Sequence, residues 1–145
     1  MYQHILIPTD GSDLSRKAIS HGVLLAKAAK AKLTSITVTA PYRIFALDPV
    51  MVTDTPEVYK TQMTRLAGKY LDEVKMAALA EGVSCDALSV EHEHPYQAII
   101  DAANDQHCDL IVMASHGRRG ISAVLLGSET VKVLTHSTIP VLAYR

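Results

Sequence analysis

Apolar positions along this chain change spacing from one segment to the next. Five short runs rich in β-branched residues read as strands: His4 to Ile7, Leu33 to Thr39, Val83 to Val90, Asp109 to Ala114 and Pro140 to Tyr144. Between them, apolar residues recur three or four apart, the period of a helix with one buried face. The first such stripe is Ala18, Ile19, Gly22, Val23, Ala26 and Ala29, and the second is Met63, Leu66, Ala67, Tyr70, Val74 and Ala77. Ile99, Ala102 and Ala103 make a third, and Val131 with Leu134 a fourth.

The punctuation agrees with this reading. Pro8 stops the first strand, and Asp10 or Ser12 can cap the helix that follows. The second helix runs from about Glu57 to Ala80 before Gly82, Pro95 opens the third, and Ser128 can cap the fourth. The order is βαβαβαβαβ. Strands alternating with helices require right-handed crossovers, which predicts an α/β fold, Rossmann-like, with a parallel sheet covered on both faces. Such sheets bind ligands beyond the carboxyl ends of their strands, where the strand order reverses.

The length of 145 residues fits a single domain over 1–145, large enough for a core without disulfides or a structural metal. Fourteen Lys plus Arg against fifteen Asp plus Glu give a net charge of −1, too little positive charge to hold nucleic acid or an anionic membrane. Any anionic ligand must therefore be held by local charge. Cys85 and Cys108 form no C-x-x-C pair and read as buried thiols of a reducing compartment. Met1-Tyr2-Gln3-His4 carries no Lys or Arg before Ile5, and no uncharged apolar stretch approaches the ~18 residues of a bilayer span. A mature cytoplasmic protein is expected.

Two strand ends carry ligand-type chemistry: Pro8-Thr9-Asp10-Gly11-Ser12 and Ala114-Ser115-His116-Gly117-Arg118-Arg119-Gly120. In the second, glycines let backbone N–H groups converge on an anion while His116, Arg118 and Arg119 supply positive charge. Gly127-Ser128 follows ten residues after Gly117 and opens a helix, whose free amides would complete a phosphate cradle. Neither G-x-x-x-x-G-K-[ST] nor G-x-G-x-x-G occurs in the chain, which excludes the P-loop and standard dinucleotide patterns. A plain surface turn with solvated arginines is the competing interpretation.

Ala114-Ser115-His116-Gly117, nine residues, then Gly127-Ser128 resembles the G-x-x-G-x9-G-[ST] motif of the ATP-binding branch of the universal stress protein family. Pro8 to Ser12 resembles that family's first strand end, and Ile139-Pro140-Val141-Leu142 its last strand. The resemblance implies an open five-stranded parallel sheet ordered 3-2-1-4-5. It implies a site in which Asp10 meets ribose and adenine, backbone groups near Val38 read the adenine edge, and Met113 and Ala114 line the sugar. Pro8 and Thr9 belong to the same strand end. Gly117, Gly127, Ser128, Glu129 and Thr130 would hold the phosphates, Glu129 through its backbone only. Ala114 stands where the family has its first motif glycine, and its Cβ is tolerable only if φ there is negative.

Other residues invite narrower readings. His92 and His94, two apart on an extended segment, could share a metal, but no third ligand accompanies them and no metal site is expected. Ser115 and His116 do not read as a nucleophile pair, because adjacent turn residues rarely reach each other's side chains. No catalytic residue is assigned. The 40–55 segment carries Ile44, Phe45, Leu47, Val50, Met51 and Val52, enough apolar content to pack over the adenine pocket or a partner. Arg43 reads as a solvated side chain, with the phosphates as its functional alternative.

These features predict a small ATP-binding module, with ADP or AMP as alternatives and Mg²⁺ able to bridge Asp10 to the phosphates. It would act in stress response or signalling through conformation or partner binding. The alternatives are slow ATP hydrolysis or nucleotidyl transfer, with Ser128 or His116 at the transferred group, and a nucleotide-free dimeric scaffold. Val141-Leu142-Ala143-Tyr144, a strand on the sheet edge with no internal charge or proline, predicts a homodimer.

Overall fold

The computed structural model describes residues 1–43, 55–117 and 126–145. Its central strand is β1 (His4–Pro8), whose Ile5, Leu6 and Ile7 are completely buried. A run apolar at every position is what a strand covered on both faces requires. The remaining elements are α1 (Asp13–Ala29), β2 (Lys32–Thr39), α2 (Pro56–Ala80), β3 (Cys85–Glu91), α3 (Pro95–Asp105), β4 (Leu110–Ala114), α4 (Ser128–His136) and β5 (Val141–Tyr144). All pairings are parallel, and the sheet order is β3-β2-β1-β4-β5, as the resemblance implied.

Alternation along β1 divides the core in two. Ile5 and Ile7 pack with Ile19, Val23 and Ala26 of α1 and Val74 and Ala78 of α2. Leu6 faces the other way, onto Ile99, Ile100 and Ala103 of α3 and Val133 of α4. Each helix start has its own stop signal. Ser12 caps α1 by accepting the Ser15 N–H at 3.1 Å, and Thr55 caps α2 by accepting the Val58 N–H at 3.2 Å.

Several expectations need correction here. The fourth helix buries Thr130 and Val133, whereas Val131 and Leu134 stay exposed, because the face was assigned from two apolar residues that both lie on the outer side. Its N-cap is Gly127, with Ser128 already the first helical residue. Cys108 is buried, and burial pushes its thiol up to about 11, but Cys85 is only half-buried near an edge of the sheet. At the amino ends of the strands, His4 is buried and shares a hydrogen bond of 2.8 Å with the Thr34 hydroxyl. Burial, with Lys32 adding to it, holds that imidazole below its ordinary value. Among the described residues, no helix is long and apolar enough to cross a membrane.

Candidate functional site

The strand order reverses between β1 and β4, and a cavity of about 620 Å³ opens there beyond the carboxyl ends of the strands. Ile36, Val38, Ile99 and Met113 give it an apolar floor, and Asp10, His92, Glu93, His116 and Ser128 stand among its polar groups. Pro8, Thr9, Ala114, Gly117, Gly127, Glu129 and Thr130, which the sequence reading placed at the site, also line it.

The ladder itself aims one backbone pair into this space. Thr9 N–H donates to Ile36 C=O at 2.9 Å, so even-numbered residues of β2 face β1, while His92 N–H donates to Thr39 C=O at 3.0 Å on the β3 side. Val38 therefore turns its N–H and C=O toward β1, which has already ended. A donor and an acceptor side by side suit the edge of a purine base.

The loop after β1 is held by short bonds. Thr9 Oγ1 accepts from Ser15 Oγ at 2.9 Å and from the Gly11 N–H at 3.3 Å, and Thr9 C=O accepts from Thr37 Oγ1 at 3.1 Å. The capping duty falls to Ser12. Asp10 Oδ1 accepts the Ser12 N–H at 3.0 Å, and Asp10 Oδ2 lies against the place a Cβ on Gly117 would take. Asp10 and Gly117 thus meet across the cavity.

After β4, two hydrogen bonds stitch the halves of the glycine motif together. Ser115 C=O accepts the Gly127 N–H at 2.6 Å, and Ala114 C=O accepts Thr130 Oγ1 at 2.9 Å. A Cβ on Gly127 would lie 3.0 Å from His116 Cα, tight enough that the neighbouring backbone must give by a few tenths of an ångström. The φ of Gly127 is −72°, which any residue could adopt. Ala114 is not among the residues of positive φ, so alanine sits in ordinary strand geometry where the family motif has glycine. Gly127 brings no side chain over the start of α4, which leaves the first-turn amides of this helix open to an anion. The Glu129 carboxylate is turned aside, accepting the Tyr96 N–H at 2.8 Å at the start of α3. Only its backbone serves the cradle.

Some readings change. Ser115 Oγ and His116 Nδ1 do come within 3.4 Å, since the tight exit from β4 folds the two side chains together. Ser115 is nevertheless 1% exposed, so a substrate could not reach it. His92 and His94 rings are 6.0 Å apart, but His92 Nδ1 is occupied by the His94 N–H at 2.8 Å. Among the described residues, no three His, Cys, Asp or Glu groups converge on a common point. Arg43 is not solvated alone but pairs with Glu93, linking the exits of β2 and β3. Arg118 and Arg119 lie outside the described residues, as do Ile44, Phe45, Leu47, Val50, Met51 and Val52. Sequence reasoning passed over Ser15, Ile36, Ala40, His92, Glu93, Pro95 and Ile99 as lining residues. The strand-end rule would have found four of these, had it been applied to β2 and β3 as well as to β1 and β4.

Comparison with known proteins gives a consistent outcome. The model of the universal stress protein family matches residues 1–145. Universal stress protein YxiE of Bacillus subtilis is 30% identical over 149 residues, covering 100% of both chains. Among solved structures, MJ0577 of Methanocaldococcus jannaschii superposes with a TM-score of 0.81 at 28% identity, covering 99% of this chain and 96% of the other. A universal stress protein crystallised in complex with cAMP gives a TM-score of 0.71 at 26% identity, covering 99% and 97%.

Proposed function

This chain belongs to the universal stress protein family, and from that premise we propose that it binds an adenine nucleotide, ATP foremost, in the cavity between β1 and β4. The observation that carries this reading is the two-part cradle: a Cβ on Gly117 would crowd the Asp10 carboxylate, a Cβ on Gly127 would crowd the His116 backbone, and directly after Gly127 begins a helix with open first-turn amides. The relative crystallised with cAMP supports an adenine ligand in this fold. Val38 would read the base, Asp10 the ribose or a bridging Mg²⁺, and the backbone of Gly117, Ser128, Glu129 and Thr130 the phosphates. His116, Arg118 and Arg119 add the local charge that a net −1 chain otherwise lacks. ADP or AMP would use the same contacts with fewer phosphates.

Amides and cations bind phosphate but do not activate water, so the output we propose is conformation or partner choice in a cytoplasmic stress response. Slow hydrolysis remains the competing reading. Mass spectrometry of small molecules released by denaturing the purified protein is expected to find about one adenine nucleotide per chain, given tight retention. No released nucleotide, together with no calorimetric signal at about 1 mM ATP, would overturn the proposal. Phosphate released on incubation with ATP would move the protein to the enzymatic reading.

We further propose a homodimer through the β5 edge, Val141, Leu142, Ala143 and Tyr144. Ile111 N–H donates to Pro140 C=O and Ser115 N–H to Tyr144 C=O, so even-numbered residues of β5 serve β4. The outward groups therefore belong to Val141 and Ala143. Leu142 is exposed, as are Val131 and Leu134 on the neighbouring α4, which gives the edge apolar flanks. Proline at 143 removes an outward donor and leaves the β4 ladder intact, whereas proline at 142 would break that ladder. Ala143→Pro should turn a dimer into a monomer in sedimentation at micromolar concentration. A variant that stays dimeric, or an unmodified chain that is monomeric, places the interface elsewhere or nowhere.

A further inference from the structure

Helix α2 carries a second stripe, on the side away from the core. Val58, Arg65, Gly68, Asp72, Met76 and Leu79 recur at helical spacing, within an arc of roughly 100°. Of these, Met76 is 66% and Leu79 71% exposed. Tyr59, Ala67, Tyr70, Leu71, Val74 and Ala78 hold the opposite, buried side.

Gly68 is the anomaly of this stripe. Glycine in a helix interior weakens the helix relative to alanine, and a Cβ here would meet nothing within 4 Å. The chain's own packing gives no reason for it. A shallow groove of about 610 Å³ runs past it, bordered by Arg65, Lys69, Asp72 and Met76. The ion pairs among the described residues use Glu73 with Arg16, and Glu81 with Lys27, but include none of Arg65, Lys69 and Asp72.

We propose that this face of α2 packs antiparallel against the same face of a second copy of the chain, crossing at Gly68. A two-fold axis between positions 68 and 69 sets Arg65 opposite Asp72 of the second copy, and Asp72 opposite its Arg65. The same axis sets Val58 opposite Leu79. Each charged residue meets its opposite and each exposed apolar end meets another, which is the self-complementarity an isologous contact requires. Glycine at the crossing lets the two helix axes approach closely. Lys69 flanks the crossing and can extend its ammonium to solvent. One helix pair buries less than a standard interface, so the contact alone is weak. Helix α2 covers β2 and β3, at the far side of the sheet from β5, so both edges can be occupied at once and reinforce each other.

Charge reversal tests the proposal on the full chain. Arg65→Asp alone sets like charges together on both sides of the axis, and so does Asp72→Arg alone. Sedimentation from about 10 to about 500 µM should show the concentration-dependent step at least about tenfold weaker in each single variant. An equimolar mixture of the two again matches opposites at both contacts. It should recover the unmodified association to within about threefold. Both positions are exposed, so folding is retained, and circular dichroism checks it. Single variants that associate like the unmodified chain, a mixture as weak as its components, or an unmodified chain without such a step would overturn it.

Discussion

Gly117→Val is expected to weaken ATP binding at least about 100-fold, or ~2.7 kcal/mol, in a chain that remains folded. Gly117 is not among the glycines of positive φ, so valine is permitted there by the backbone. The new Cβ would crowd the Asp10 carboxylate that faces it and push that side chain out of its present position. Two further methyl carbons would then occupy volume that a phosphate needs, while the core of Ile5, Leu6 and Ile7 is untouched. Gly127→Val reaches the same end by another route. Its Cβ would press within 3.0 Å of His116 Cα, so backbone must move and the bond from Gly127 N–H to Ser115 C=O is strained. Calorimetry with ATP decides the matter. A well-folded Gly117→Val chain with unchanged affinity would remove the cradle from the nucleotide site.

The contrast between Gly117 and Ala114 shows what a motif can and cannot tell. Both occupy glycine positions of the same pattern, yet a Cβ at the first would crowd the Asp10 carboxylate, whereas Ala114 carries its Cβ in ordinary strand geometry. The motif interval pointed to two segments that the fold brings together, with Gly127 N–H donating to Ser115 C=O across them. Strand order was not visible in periodicity and came from resemblance alone. Faces were readable where the apolar stripe was long, as in α1, and misread in α4, where two residues decided it and Thr130 turned inward to bond Ala114 C=O. Contacts between exits of different strands, such as Arg43 with Glu93, were out of reach for the same reason. They depend on which strands are neighbours.

Gly11→Ala should be the most damaging single change to stability, about 2 to 5 kcal/mol, a large part of what a domain of this size possesses. Gly11 has φ +76°, a conformation that costs an L side chain roughly 1 to 2 kcal/mol. An added Cβ would also run into the ring of Tyr70, which is 5% exposed on α2 and has little freedom to retreat. The turn that aims Asp10 into the cavity is therefore locked from behind by a helix of the core, so site geometry and fold stability share one residue. The two terms can be separated. Tyr70→Leu removes the obstructing ring but not the backbone cost, so Gly11→Ala should lose less stability in that background than in the unmodified chain. Urea unfolding of the four chains measures the coupling, expected at about 1 kcal/mol or more. If the two losses simply add, to within about 0.5 kcal/mol, the collision with Tyr70 plays no part and glycine is required at this position for its φ alone.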